Sequence, residues 1–258
     1  MAVTLASAVL WVYPRRMPQP DYGLDAPKLV RRSAVRGGFL IAFAFVLYIA
    51  NRHTSPGTAQ ALAAMLGAVG LGFFITAAGM VWSSRVAKLK LRDRILDGFS
   101  WRGDETVLDV GCGRGLLLIG AAKRLKTGKA TGVDIWRSED LSGNSPEASL
   151  RNAKAEGVGD RIKIESADAR KLPFGASSFD VVVSSLAIHN IPSGPERAKA
   201  LREIARVLKP GGRVAIFDIF HTSEYAKGLQ QLGLTDVKLS RFSLLWGLPC
   251  RTVTARKP

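Results

Sequence analysis

Residues 107–115 read VLDVGCGRG, an apolar run that leads directly into three closely spaced glycines. The run predicts a buried β-strand, and the residues after it predict a helix over 116–125. Glycines let the backbone turn sharply and approach a ligand closely, and the start of the next helix offers free backbone amides. This order of strand, glycine loop and helix predicts a binding site for a nucleotide-containing cofactor.

The segments around this loop repeat the alternation of strand and helix. The predicted strands cover 107–110, 130–134, 162–165, 181–185, 214–218, 237–239 and 252–255, and the predicted helices cover 116–125, 146–156, 196–208 and 223–232. Such alternation is typical of parallel strands with helices on both faces. We therefore predict a doubly wound α/β fold with a Rossmann-like, mainly parallel seven-stranded sheet, in a domain over 104–258.

The spacing of the glycines narrows the choice of cofactor. Gly111, Gly113 and Gly115 form G-x-G-x-G, and Leu116 stands where a dinucleotide fingerprint has a third glycine or alanine. The Gly-Lys-Ser or Gly-Lys-Thr of the P-loop that binds nucleoside triphosphates is absent from this segment. The loop alone therefore indicates a nucleotide without specifying which one.

Acidic residues follow the next two predicted strands. Asp134 comes about 20 residues after the glycine loop, where a carboxylate accepts hydrogen bonds from both ribose hydroxyls. Asp168 and the backbone amide of Ala169 follow the third strand, at a position suited to an adenine edge. Residues 136–150 form a long link that fits either a lid over the site or an ordinary surface loop.

Residues 104–220 resemble a class I S-adenosylmethionine-dependent methyltransferase. The matching segments, in order, are VLDVGCGRG, TGVDI, ADARKLPF, SSFDVVVSSLAIHN and LREIARVLKPGGRVAIFD. The last three resemble the branch that contains the ubiquinone, menaquinone and sterol C-methyltransferases. The resemblance implies S-adenosylmethionine as cofactor.

The resemblance also implies a set of cofactor-binding residues. They are Asp109, Gly111, Cys112, Gly113, Arg114, Gly115, Asp134, Ile135, Asp168, Ala169 and Ser185. The glycine loop and Arg114 would line the methionine end, Asp134 with Ile135 the ribose, and Asp168 with Ala169 the adenine. Ser185 would close the site after the fourth strand, and Cys112 is expected to act as a small residue rather than a reactive thiol.

Histidines near the ends of the fourth and fifth strands are candidates for a general base. His189 follows the fourth strand, at the edge of the sheet where acceptors bind. It fits two roles equally, a catalytic base or a structural histidine. Asp218 and His221 form a second candidate pair after the fifth strand.

The first third of the chain predicts a membrane anchor. Residues 58–82 carry no charge over 25 positions, and a weaker apolar run covers about 37–52. We interpret residues 1–83 as a region with a transmembrane hairpin, although 58–82 also fits a buried core helix. Basic residues flank the hairpin on both sides, so the positive-inside rule predicts a multi-pass protein with both ends and the catalytic domain in the cytoplasm.

Two further segments accompany the hairpin. Residues 84–103 are predicted to form a juxtamembrane linker helix, whose basic residues suit anionic headgroups. An additional apolar run at 2–13 fits either the membrane interface or a crevice of the fold.

Composition excludes several classes of protein. The 258 residues carry a formal net charge of +16, but 12 basic and 3 acidic residues place +9 of it in residues 1–94, beside the apolar runs. The residues 184–187, Ser-Ser-Leu-Ala, also lack the Asn/Asp-Pro-Pro pattern of base-amine methyltransferases, so a nucleic acid substrate is not expected. Two cysteines are too few for a disulfide framework. The sequence shows no cluster of metal-ligating residues, so a bound metal is not expected.

These features together predict a membrane-anchored methyltransferase with a small hydrophobic or membrane-resident acceptor, such as a quinone-like ring or a lipid. Tethering would hold enzyme and acceptor on the same surface. A soluble metabolite or a protein side chain is the alternative acceptor, and a non-catalytic cofactor-binding module is the alternative function.

Overall fold

The computed structural model describes residues 19–53, 56–137, 139, 141–245 and 248–258. The apolar run at 2–13 lies outside them. The helices are α1 (Pro27–Asn51), α2 (Pro56–Trp82), α3 (Lys88–Leu96), α4 (Leu116–Ala122), α5 (Pro146–Ala155), α6 (Gly194–Val207) and α7 (Thr222–Gln231). The strands are β1 (Thr106–Val110), β2 (Lys129–Asp134), β3 (Ile162–Ser166), β4 (Phe179–Ser185), β5 (Leu208–Asp218), β6 (Thr235–Leu239), β7 (Ser243–Leu245) and β8 (Leu248–Arg256).

The main sheet follows the order β3-β2-β1-β4-β5-β8-β6. The pairs from β3 to β5 are all parallel, and β8 runs antiparallel to both of its neighbours in this order. The prediction of a doubly wound, mainly parallel seven-stranded sheet is confirmed. The short strand β7, which was not predicted, adds an antiparallel pair to β8 outside this order.

Each face of the sheet packs against its own set of helices. Val107, Val181 and Phe217 belong to the cluster that includes α3 and α4, whereas the adjacent Leu108 and Val182 belong to the cluster that includes α6 and α7. This alternation follows from the two-residue repeat of a β-strand. All five side chains are at most 1% exposed, so both faces of the sheet are covered at these positions.

Helices α1 and α2 form a hairpin. A Cβ atom on Gly37 would lie 2.8 Å from the carbonyl oxygen of Gly70, so the small residues allow the two backbones to approach closely. Helix α1 begins ten residues before the predicted span at 37–52, because basic residues of its first turns are helical without being apolar. Both helices are long and apolar enough to cross a membrane, and only 17% of each apolar window is buried inside the structure.

Helix α2 continues through a π-helical turn at Ser83–Ala87 into α3. Residues 21–26, here called the N-terminal strap, cross from the start of α1 to the sheet domain. Within the strap, the amide of Asp21 donates to Oδ1 of Asn152 (2.9 Å) and the amide of Leu24 donates to Oγ of Ser142 (2.8 Å). The hairpin is thereby fastened to the domain next to the glycine loop.

Candidate functional site

A cavity of about 480 Å³ opens at the carboxyl ends of the central strands. Its wall includes ten of the eleven predicted cofactor residues: Asp109, Gly111, Cys112, Gly113, Arg114, Asp134, Ile135, Asp168, Ala169 and Ser185. Gly115 lies outside the wall, at the position before α4, where it packs near Ser149. His189 also lines the cavity. The carboxyl edge of a parallel sheet therefore gathers the predicted residues, as this fold class requires.

The glycine loop is shaped by backbone conformations that favour glycine. Gly111 has φ +75°, and a Cβ there would lie 2.2 Å from Cβ of Ala187. Gly113 has φ +53°, and its added Cβ would lie 3.0 Å from Cδ2 of Leu141. A side chain at either position meets both backbone strain and a neighbouring group. The glycines therefore let the loop pack closely against Ala187 and Leu141, which also line the cavity.

Asp134 at the end of β2 is held in place by the loops around it. The backbone amide of Gly113 donates to its Oδ2 (2.8 Å), and the amide of Trp136 donates to its Oδ1 (2.6 Å). Nδ2 of Asn144 is a third donor, at 3.4 Å from Oδ1. Leu141 and Asn144 belong to the long link at 136–150 and line the cavity, so this link forms part of the wall.

Asp109 in β1 has a different environment. Its side chain is buried, and its Oδ2 accepts a hydrogen bond from the amide of Leu118 (2.8 Å), which ties β1 to α4. Burial raises the pKa of Asp109 to about 8, with a smaller increase from the nearby charge of Asp134. Burial likewise raises the pKa of the Cys112 thiol well above its ordinary value. A thiol of this kind is a poor nucleophile, which fits the prediction of a small packing residue.

Two predicted residues contact charged partners. Nε of Arg170 lies 3.0 Å from both carboxylate oxygens of Asp168, and this hydrogen bonding lowers the pKa of Asp168. Nη2 of Arg114 donates to Oδ2 of Asp21 (2.9 Å), and its Nη1 donates to the carbonyl oxygen of Ser142 (3.0 Å). The guanidinium of Arg114 therefore joins the glycine loop to the N-terminal strap.

His189 lies against Asp218, at the end of β5. The amide of His189 donates to Oδ2 of Asp218 (3.1 Å), and its ring Nδ1 lies 2.5 Å from Oδ1. Asp218 is fully buried and also accepts from the hydroxyl of Tyr225 (3.3 Å). The expected pair of Asp218 with His221 is not formed, because the ring of His221 lies beside Glu224 instead (3.3 Å). Nδ1 faces this carboxylate without the geometry of a hydrogen bond, and Nε2 is the other ring nitrogen.

Solved structures share this architecture. The [4+2]-cyclase SpnF has a TM-score of 0.54 at 18% identity, over 68% of this chain and 83% of SpnF. A SAM-dependent methyltransferase from Aquifex aeolicus has a TM-score of 0.53 at 20% identity, over 67% of this chain and 94% of that one. At this low sequence identity, the similarity shows only that the fold is shared. Proteins with the same fold can catalyse many different reactions.

Sequence similarity is more specific. Residues 108–216 match the family model described as a methyltransferase domain. A sterol 4-C-methyltransferase of Caenorhabditis elegans is 39% identical over 120 residues, and a demethylmenaquinone methyltransferase of Staphylococcus aureus is 34% identical over 128 residues. The domain is a class I S-adenosylmethionine-dependent methyltransferase domain.

The similarity covers the methyltransferase domain and not whole proteins. The alignments span 46% and 49% of this chain, and 33% of the sterol enzyme and 48% of the menaquinone enzyme. The chain thus spans half or less of the length of these curated relatives.

One wall of the cavity in the methyltransferase domain was not anticipated. Tyr22, Asp25 and Ala26 of the N-terminal strap, with Lys88 and Leu91 of α3, complete it. The strap has no periodic pattern that predicts packing. The helical spacing of Val86, Leu89 and Leu96 among basic residues predicts a helix at the membrane surface. That pattern does not indicate that Lys88 and Leu91 of the same segment line the cavity.

Proposed function

We propose that this protein is a membrane-anchored methyltransferase that transfers a methyl group from S-adenosylmethionine to a small hydrophobic or membrane-resident acceptor, such as a quinone-like ring or a lipid. One observation carries the proposal. A single cavity is lined both by the glycine loop with Asp134 and by residues next to the apolar hairpin. Cofactor and bilayer would therefore meet at one site.

The exposed surface of the hairpin supports anchoring. Phe39 and Phe45 on α1 are 69% and 65% exposed, and Ile75 on α2 is 64% exposed. An apolar surface of this kind is stable in the hydrocarbon of a bilayer and is costly in water. Basic residues on both sides of the hairpin favour a topology with the methyltransferase domain in the cytoplasm.

The cavity suits S-adenosylmethionine. The glycine loop with Arg114 would line the methionine end, and Asp134 with Ile135 would hold the ribose. Asp168 and Ala169 stand where the adenine would lie, and Ser185 would close the site. When bound, the cofactor supplies an electrophilic methyl on a sulfonium, so the chain need only align the acceptor and exclude water.

We assign His189 as the general base for an acceptor that must lose a proton. Asp218 faces Nδ1 and would hold the ring, so Nε2 would take the proton that the acceptor atom loses when it receives the methyl group. The carboxylate of Asp218, buried beside the ring, stabilises the imidazolium that results.

A comparison of cellular lipids tests the acceptor class. The full chain is expressed in a host without it, beside its Gly113→Arg variant as an inactive control, and extracted lipids and quinones are compared by mass spectrometry. We expect species one methyl group heavier in the lipid extract with the active chain alone. Methylated products confined to water-soluble metabolites or proteins would instead establish the alternative acceptor.

The ribose assignment predicts the effect of Asp134→Ala. The carboxylate makes charge-assisted hydrogen bonds, so its removal is expected to weaken cofactor binding by about 1.5–3 kcal/mol, measured by calorimetry. The exposed Asp160 provides a matched control, and Asp160→Ala should leave the affinity unchanged. Equal affinities for the two variants would contradict the assignment of Asp134.

A further inference from the structure

The wall of the cavity nearest the hairpin belongs to the N-terminal strap and α3. Lys88 and Leu91 are three residues apart, so they lie on one face of the helix, and both line the cavity beside Tyr22, Asp25 and Ala26. Helix α1 begins at Pro27, the residue after Ala26. The cavity wall is therefore continuous with the base of the hairpin.

The ammonium group of Lys88 binds other residues of this wall. Nζ donates to the carbonyl oxygens of Gly23 (2.7 Å) and Tyr22 (2.9 Å) and lies 3.4 Å from Oδ2 of Asp25. An ammonium group has three donors, so these contacts employ all of them. Oδ2 of Asp25 also accepts from the hydroxyl of Ser84 (2.9 Å). Lys88 thus fixes the strap to α3 and offers no free charge to a ligand.

Apolar side chains line the cavity beside these polar groups. Leu91, Leu186 and Ile219 line the cavity and pack against the same hydrophobic cluster. Ala26 lines the cavity as well, and it also packs against the small apolar cluster between α1 and the end of α2. Apolar side chains therefore line the cavity both at the carboxyl ends of β4 and β5 and at the base of the hairpin.

We propose that Ala26 and Leu91 border an entrance from the bilayer and hold the apolar tail of an amphiphilic acceptor, whose polar reacting end lies beside His189. This inference rests on the proposed anchoring and methyl transfer. Contact of the tail with Ala26 and Leu91 would remove its apolar surface from water, which favours an amphiphile over a water-soluble metabolite. Leu91 is accordingly a residue that determines specificity for the tail.

Cysteine labelling of the full chain in phosphatidylcholine and phosphatidylglycerol vesicles tests the entrance. Leu91→Cys and Ala26→Cys are each treated with N-dodecylmaleimide dissolved in the bilayer or with a sulfonated, water-soluble maleimide. Because a dodecyl chain concentrates its reagent in the membrane, we expect both cysteines to react at least about tenfold faster with it than with the sulfonated reagent. Wild-type chain measures the background from the two native cysteines, Cys112 and Cys250, both of which are buried.

Leu150→Cys is the matched control, because Leu150 is an exposed leucine of α5 outside the cavity wall. It should prefer the sulfonated reagent. If Leu91→Cys and Ala26→Cys share that preference while the chain floats with the vesicles, the cavity opens to water and the entrance is refuted, whereas the proposed function stands. A chain that does not float with vesicles overturns the anchoring and the entrance together.

Discussion

Replacing Gly113 by arginine is expected to abolish binding of S-adenosylmethionine, with a loss of affinity greater than about 100-fold, or about 2.7 kcal/mol. The backbone there has φ +53°, and a Cβ atom would already lie 3.0 Å from Leu141. The longer side chain would extend into the space proposed for the methionine end. It would also disturb the hydrogen bond from the Gly113 amide to Asp134. Calorimetry on the full chain in detergent measures the affinity.

The same substitution at Gly233 separates loss of the site from loss of the fold. Gly233 also has a positive φ, +82°, but a Cβ there meets no atom within 4 Å and the residue lies outside the cavity wall. Gly233→Arg should therefore bind the cofactor like wild type, with circular dichroism to check that both variants are folded. A folded Gly113→Arg variant with unchanged affinity would disprove the assignment of the glycine loop.

The sequence predicted the cofactor side of the cavity because its signals are local. The strand and glycine loop at 107–115 are contiguous, and Asp134 follows at the spacing that the βαβ unit sets. In such a fold, the strand order alone brings the ends of β1 and β2 together. Seven strands were predicted correctly for the same reason, since each carries its own apolar run.

The antiparallel direction of β8 and the partner of Asp218 depend on contacts between distant residues. His221 is the histidine nearest to Asp218 in sequence, but His189, 29 residues away, approaches it instead. The ends of β4 and β5 are neighbours in the sheet, so the loop after β4 reaches the carboxylate. The contact between His189 and Asp218 therefore cannot be predicted from the spacing of these residues in the sequence.

The N-terminal strap was missed for a related physical reason. Its contacts with the domain join residues more than 100 positions apart, as in the bonds of Asp21 to Asn152 and of Leu24 to Ser142. An irregular segment without apolar periodicity gives no local signal of such packing. Hydropathy likewise located the apolar part of α1 but not its basic first turns, which begin at Pro27.

Replacing His189 by glutamine is expected to lower kcat by about 10²- to 10⁴-fold if it is the general base, the range typical of proton transfer by a positioned side chain. Glutamine keeps a polar group of similar length but does not accept a proton at neutral pH. The amide of residue 189 would still donate to Asp218, so the local backbone should persist. Steady-state turnover with an acceptor identified in the lipid comparison measures the effect.

Two readouts distinguish a base from a structural histidine. A base contributes to kcat and leaves cofactor affinity unchanged, whereas a structural histidine that supports the loop after β4 would change the affinity and the melting temperature when it is replaced. His221→Gln is the matched control, because His221 lies beside Glu224 and outside the cavity wall. It should retain wild-type turnover. Full turnover in His189→Gln would exclude His189 as the base and would favour a mechanism by alignment alone, in which the proton leaves to water after methyl transfer.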